Sequence, residues 1–139
     1  MKKMIKLLLL ILWLFIIFML SHFDGSKSTS QSDIIVKSLY KFTYIDKHAL
    51  VIIVRKLAHV FEYFVLCILI YTNINEYKPK HVFKLSIILS LLYATFDEFH
   101  QLFINKRSGK IEDIIIDFIG IILGYITIKH FNKNKLKST

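Results

Sequence analysis

The sequence is poor in cysteine and in the residues that make turns. Its 139 residues include one cysteine, one proline and four glycines. The single cysteine, Cys67, excludes an internal disulfide and gives no support to a thiol-based catalytic pair, so we interpret it as a small buried hydrophobic residue. The scarcity of glycine and proline argues against a soluble domain with many loops and is typical of a helical membrane bundle.

Apolar residues dominate the composition. They make up 55% of the chain, and the mean hydropathy is +0.53. We therefore expect one all-α membrane domain that covers residues 1–139. The net charge of +9 is compatible with nucleic-acid binding, but no aromatic-basic groove or binding motif accompanies it, so we expect no nucleic acid partner. Membrane topology explains the charge better.

Four apolar segments are long enough to cross a bilayer as helices. Their predicted boundaries are about residues 4–20, 50–71, 81–102 and 111–128. The first contains an unbroken apolar run that follows Lys6. A cleaved signal peptide is the alternative for it, because basic residues precede the run, but residues 19–23 lack a small-x-small cleavage site. We therefore predict that this segment is retained.

The first loop begins with a serine-rich polar stretch, residues 21–33, and continues into an amphipathic segment. Across residues 34–45, apolar side chains recur at helical spacing against several lysines. This pattern predicts a short helix that lies on the membrane surface.

The distribution of charge predicts that both termini are cytoplasmic. Basic residues divide almost evenly between the two sides, but Lys2, Lys3 and Lys6 precede the first helix, where positive charge acts most strongly on topology. With this orientation Glu76 is the only cytoplasmic carboxylate, and the other acidic residues lie on the outer side. Because acidic residues contribute little to topology, their one-sided distribution indicates a function there.

Ionisable residues collect at the outer ends of the last three helices. The second helix carries four polar residues on one stripe, at i, i+4, i+7 and i+8 spacing: Arg55, His59, Glu62 and Tyr63. The third carries a comparable group: Asp97, Glu98, His100 and Gln101. Charge at the centre of a membrane helix costs roughly 2.5–3.5 kcal/mol per residue, so we expect these side chains to point into the bundle.

The fourth helix adds to the same cluster. It follows a basic turn that contains Arg107, and Asp113 lies in its first turn, where the helix dipole favours negative charge. Asp117 comes one turn later, and the same face continues to Gly120 and Gly124. This small-xxx-small pair permits close approach of a neighbouring helix or of a second subunit.

Three segments of the cluster resemble the VanZ-like family. They are RKLAHVFEY at residues 55–63, YATFDEFHQ at 93–101 and RSG at 107–109. The resemblance covers nearly the whole chain and implies a small multi-pass protein of the bacterial cell membrane. The family is named for a member that gives low-level resistance to the glycopeptide teicoplanin. The resemblance assigns these motif residues: Arg55, Lys56, His59, Glu62, Tyr63, Asp97, Glu98, Gln101, Arg107, Asp113 and Asp117. Residues 104–106 differ from the family pattern, in which a Pro-Gly-like pair is expected before the arginine.

The cluster has a purely structural interpretation. Arg55 would pair with Glu62, and Arg107 with Asp97 or Asp113, so that three helices are locked together. The cluster contains more carboxylates than are needed to pair with its arginines and histidines, and this excess favours a functional site.

One functional interpretation is binding without catalysis. Arg55 and Arg107 would form charge-assisted hydrogen bonds with an amphiphilic glycopeptide or a lipid-linked wall precursor. Membrane lipid would surround the protein and its ligand. The expected consequence is tolerance of teicoplanin.

The alternative is an enzyme that acts on a lipid head group. His59 would be the general acid or base, oriented by Glu62 or Asp97, with Glu98 as a further catalytic candidate. A divalent metal held by His59, Glu62, Asp97 and His100 is a weaker version of this hypothesis, because no compact metal-binding motif is present. We therefore predict no metal site, and the sequence specifies no cofactor.

Overall fold

The computed structural model describes residues 2–22, 36–37, 45–105, 107 and 109–137. This part of the chain contains four α-helices, a short 3-10 turn and no strand. The helices are α1 (Lys2–His22), α2 (Lys47–Ile74), α3 (Val82–Gln101) and α4 (Ile111–Lys137). The all-helical prediction is therefore confirmed.

The helix α2 begins earlier than the apolar pattern predicts, because its start is determined by a capping residue. The carboxylate of Asp46 accepts hydrogen bonds from the backbone nitrogens of His48, at 2.9 Å, and Ala49, at 3.2 Å. These bonds satisfy two backbone N–H groups that lack partners within the helix. The helix consequently starts at Lys47 instead of near Leu50.

A tight connection joins α2 to α3. It consists of the 3-10 turn Asn75–Tyr77 and Lys78, whose φ of 47° is left-handed, and Pro79 follows. A left-handed residue followed by proline ends helical structure and reverses the chain. As a result, α3 returns antiparallel to α2.

The helix α4 continues well past its predicted end at residue 128. The basic tail remains helical to Lys137, and the side-chain amide of Asn132 donates a hydrogen bond to the Tyr71 hydroxyl at 2.6 Å. This contact holds the extension of α4 against the end of α2.

The four helices form an up-and-down antiparallel bundle in which α2 is central. It packs against all three other helices, most extensively against α4, while α1 packs on α2 and α3. At one end of the bundle Lys6 forms an ion pair with Glu76, and Asn73 donates to the Lys6 carbonyl at 3.1 Å. At the other end the polar residues described below connect α1 to α3. The fully buried core between these ends includes Tyr63 and Leu66.

Two glycines allow α2 and α4 to approach closely. A Cβ at Gly120 would overlap the carbonyl oxygen of Val60, and one at Gly124 would lie 2.9 Å from the carbonyl oxygen of Phe64. The small-residue face therefore contacts a helix of the same chain. Because α2 covers Gly120 and Gly124, this face is not free to contact a second subunit.

The surface of the bundle is strongly apolar. The helix α1 is the one helix in the described ranges whose length and composition suit it to crossing a membrane. Half of its sixteen apolar side chains are exposed, and Ile17 and Ser21 are its buried residues. The outer faces of the other helices also expose large apolar side chains, among them Leu57, Phe61, Leu92, Phe96, Phe99, Ile115, Ile119 and Ile126.

The predicted surface helix at residues 34–45 falls mainly outside the described residues. Residues 36 and 37 are helical, and Val36 is fully buried against Leu50 and Val51 at the start of α2.

Candidate functional site

The polar residues meet at the end of the bundle where α2 and α4 begin and α3 ends. Four of their side chains are buried: Asp97, Glu98, Gln101 and Asp117. The helices bring them together because each carries its polar residues on the face that packs against its neighbours. This placement agrees with the prediction that the charged side chains point into the bundle, which follows from the cost of charge in a membrane helix.

His59 contacts Asp117 across the interface between α2 and α4. The distance between Nδ1 of His59 and Oδ1 of Asp117 is 3.1 Å, and Asp117 is 0% exposed. The observed partner of His59 is Asp117, which differs from the predicted orienting residues Glu62 and Asp97. Gly120 explains the difference, because its close approach to the Val60 carbonyl brings the preceding turn of α4 against His59.

Gln101 is the centre of a second group of hydrogen bonds. Its Nε2 donates to Oδ2 of Asp97, at 3.0 Å, and to Oε1 of Glu98, at 3.1 Å. The same Asp97 oxygen accepts from the hydroxyl of Ser21, at 2.7 Å, and the other Glu98 oxygen accepts from the backbone nitrogen of Lys110, at 2.9 Å. These bonds join the end of α1, the end of α3 and the start of α4.

Arg107 joins this network from the turn between α3 and α4. Its Nη1 donates to Oε1 of Gln101, at 3.1 Å, and its Nη2 donates to the carbonyl oxygen of Leu20, at 2.8 Å. Burial lowers the pKa of Arg107 and the nearby Arg55 lowers it further, while Asp97 is among the carboxylates that raise it. An arginine stays protonated under such shifts, so the guanidinium carries positive charge to the last turn of α1, where the helix dipole is negative.

The ion pair predicted between Arg55 and Glu62 is not formed within the described residues. Seven residues along a helix separate the two backbones by about 10 Å, which is too far for direct pairing on one helix. Arg55 instead lines a pocket, and the Glu62 side chain is half-buried. The backbone carbonyl of Glu62 accepts a hydrogen bond from the indole of Trp13 at 3.0 Å.

The pocket opens beside these residues and has a volume of about 280 Å³. Its lining comes from α2, the end of α3, the following turn and the start of α4: Ile52, Arg55, Lys56, His59, Gln101, Arg107, Lys110, Glu112 and Asp113. Four of these residues are Lys or Arg and two are acidic. The pocket is therefore suited to an anionic group.

The structure places the predicted site residues at three depths. Arg55, Lys56, His59, Gln101, Arg107 and Asp113 line the pocket, whereas Asp97, Glu98 and Asp117 are buried behind its lining. Tyr63 is fully buried in the bundle, and its hydroxyl has no hydrogen-bond partner among the described residues. His100 stacks with Phe18 and His22, at centroid distances of 4.9 and 5.5 Å, on the side of α1.

Several contributors to the site are absent from the predicted set, among them Lys110, Ser21 and the Leu20 carbonyl. Lys110 contributes both its side chain, in the pocket lining, and its backbone nitrogen, to Glu98. Ser21 lies in the last turn of α1 and not in the predicted loop, and a serine that directly follows an apolar run is a recognisable signal. The Leu20 carbonyl could not be identified by residue type, because every residue carries one.

One group of potential metal ligands lies within the described residues. His59, Glu98 and Asp117 each offer a ligand atom, and these atoms all lie within 4.8 Å of one another. The sequence suggests His59, Glu62, Asp97 and His100 as possible metal ligands. Of these four residues, His59 alone belongs to the group that the structure brings together.

Comparison with known families identifies the chain. Residues 6–132 match the profile of the VanZ/LLP1 family. The chain belongs to the VanZ/LLP1 family. Searches of curated proteins and of solved structures found no significant match. Since the VanZ/LLP1 match includes the pocket and the buried carboxylates, the site is part of the family domain.

The site of this VanZ/LLP1 protein combines a cationic pocket with an acid–base pair. Asp117 engages Nδ1 of His59, so Nε2 is the ring nitrogen that remains for a ligand. Within the described part of the pocket lining there is no serine, threonine or cysteine that would act as a nucleophile. The positive charge of the pocket suits it to holding an anion.

Proposed function

We propose that all four helices cross the cell membrane and that the pocket faces outward. The helices have 21, 28, 20 and 27 residues, and 20 residues rising 1.5 Å each span about 30 Å, the thickness of the hydrocarbon core. The bundle exposes apolar side chains such as Phe61, which is 58% exposed, and buries Asp117. This arrangement suits a lipid environment, where charge is expensive on the outer surface.

The proposed orientation places both termini in the cytoplasm. Lys2, Lys3 and Lys6 precede the apolar run of α1, and the positive-inside rule assigns this end to the cytoplasm. An even number of crossings puts the end of α4 on the same side. The pocket, at the opposite end of the bundle, then faces outward.

We further propose that the pocket binds the anionic head group of an amphiphile or of a lipid-linked wall precursor. The observation that carries this proposal is the convergence of Arg55, Lys56, Arg107 and Lys110 on one pocket. A volume of about 280 Å³ is just below the range for drug-sized ligands, so it suits a head group and excludes an entire glycopeptide. The tail of such a ligand would lie in lipid beside the exposed apolar residues of α2.

The physiological role that we propose is a contribution to teicoplanin tolerance. A protein that holds a precursor or amphiphile head group at the outer face limits the access of a lipid-tailed antibiotic to its target without chemical turnover. Membership of the VanZ/LLP1 family supports this role.

The test is teicoplanin susceptibility of a strain that lacks the protein and is complemented with single variants. Arg55→Gln should fail to restore tolerance, because loss of a charge-assisted hydrogen bond of about 1.5–3 kcal/mol weakens binding by roughly tenfold or more. Lys84→Gln is the matched control, since it removes an exposed positive charge on α3 away from the pocket. Membrane abundance of each variant is measured in parallel. Full tolerance with normally abundant Arg55→Gln would refute the proposed binding site.

A membrane enzyme acting on a lipid head group is the second candidate. The observation that favours it is the pairing of His59 with Asp117 at the edge of the pocket, because a carboxylate that orients a histidine is a common acid–base arrangement. Lipid extracts from strains with wild-type protein or His59→Gln would differ in a head group if this function is correct. Identical lipids together with lost tolerance would favour binding.

A further inference from the structure

The environment of Asp117 contains a polar atom for which the protein provides no partner. Asp117 is fully buried, its Oδ1 contacts His59, and its Oδ2 has no hydrogen-bond partner within the described ranges. A carboxylate oxygen has two acceptor sites, and leaving a buried one unsatisfied costs roughly 1–3 kcal/mol or more. Such an atom points to a bound water or ion.

The surrounding atoms have the separations that one metal ion requires. The ligand atoms of His59, Glu98 and Asp117 lie within 4.8 Å of one another and come from three different helices. With metal–ligand distances of about 2.0–2.2 Å, two ligands of one ion are roughly 3–4.4 Å apart. The 4.8 Å limit exceeds this range only slightly, so the group needs a small adjustment to close on one ion.

The neighbouring hydrogen bonds would hold the ligands in place. Gln101 and the backbone nitrogen of Lys110 each donate to one oxygen of Glu98, and each oxygen keeps a second acceptor site for a metal. Donors of this kind orient carboxylate ligands in known metal sites. A divalent ion would also neutralise the formal charge of the two buried carboxylates.

We propose that His59, Glu98 and Asp117 bind one divalent transition-metal ion, Zn²⁺ or Mn²⁺, behind the cationic pocket. One imidazole nitrogen and two carboxylates suit these ions, and three protein ligands leave a coordination position for an outside ligand. Because His59 also lines the pocket, the ion would lie next to the pocket. The proposal stands on the ligand geometry and does not require the head-group function.

Metal binding by the purified full-length protein in detergent micelles tests this inference. After removal of metals with EDTA, Zn²⁺ or Mn²⁺ is titrated calorimetrically, and we expect about one equivalent per chain. Glu98→Gln and Asp117→Asn should each weaken binding by at least about tenfold, since loss of supporting residues alone costs that much. Glu76→Gln, which removes a carboxylate at the opposite end of the bundle, should bind as the wild type does.

A measurement on the wild type keeps the inference testable if a variant fails to fold. Mn²⁺ bound to protein labelled with ¹⁵N-histidine should show a nitrogen coupling in pulsed electron paramagnetic resonance. Stoichiometric binding with this coupling supports the site. Failure of both ions to bind, binding without the coupling, or equal binding by folded Asp117→Asn would overturn it, and a water molecule would then be the partner of Asp117.

Discussion

Gly120 lies where α4 closely approaches α2, so Gly120→Ala tests how far the site depends on that approach. The added methyl group would overlap the carbonyl oxygen of Val60 and lie 3.0 Å from its carbonyl carbon and 3.1 Å from the Phe64 nitrogen. All three are backbone atoms and cannot rotate away. The helices must therefore separate by roughly 1 Å to restore normal contact distances.

The expected cost follows from two opposing effects. Overpacking of a close interface destabilises by about 1–3 kcal/mol, whereas alanine favours a helix over glycine by about 1 kcal/mol. The net effect is then about 0–2 kcal/mol, and because the methyl group meets backbone atoms that cannot rotate away, we expect Gly120→Ala to lower the free energy of unfolding by nearly the upper value, about 2 kcal/mol. Gly124→Ala gains the same helix propensity, but its methyl group meets the Phe64 oxygen at 2.9 Å and the Cys67 Cβ at 3.0 Å, so its net effect should be smaller.

Unfolding in mixed micelles with increasing sodium dodecyl sulfate measures both variants. Trp13 is the only tryptophan, and its indole donates to the Glu62 carbonyl, so its fluorescence reports the contact between α1 and α2. Because the separation also moves Asp117 from His59, Gly120→Ala should weaken the proposed metal site. If Gly120→Ala proves as stable as the wild type, or no less stable than Gly124→Ala, the close-approach argument is incorrect.

Three further predictions concern the ends of the bundle. Asp46→Ala removes the cap of α2 and should destabilise its first turn by about 1 kcal/mol, which appears as faster amide hydrogen exchange there. Arg107→Lys should lower the free energy of unfolding by about 1.5–3 kcal/mol, because an ammonium does not reproduce the forked geometry that reaches both Gln101 and α1; detergent unfolding measures it. The hydrogen bond from Lys6 lowers the pKa of Glu76, so the pair stabilises the fold above the usual glutamate pKa, and this contribution disappears as the pH falls through the lowered pKa. The stability difference between wild type and Glu76→Gln should therefore vanish in acid.

Each of these predictions has a control and a contradicting result. Asp46→Asn keeps an acceptor oxygen and should retain most of the cap, so equal exchange in the alanine and asparagine variants would argue against capping. Arg107→Lys with wild-type stability would mean that the positive charge alone is sufficient. For the pH dependence, Glu112→Gln removes an exposed carboxylate at the other end, and an identical acid profile for both glutamate variants would exclude the Lys6 contact as the cause.

Helix type and the membership of the cluster could be predicted because both depend on local patterns. Apolar periodicity and the lack of interrupting residues identify four helices, and i, i+4 spacing places Arg55 and His59 on one face. The predicted boundaries were less accurate. The cap at Asp46 and the extension of α4 to Lys137 depend on backbone hydrogen bonds and on a contact with Tyr71, which an apolar pattern does not record.

The sequence by itself determined the family, the helical class and which residues could meet at one end of the bundle. The tertiary structure alone decided their pairing: Asp117 contacts His59, Gln101 bridges Asp97 and Glu98, and Arg107 reaches a carbonyl of α1. The physical reason is that spacing along a helix fixes only the direction of a side chain. Its partner depends on the rotation and axial position of the neighbouring helix, which the close contact at Gly120 sets in this protein.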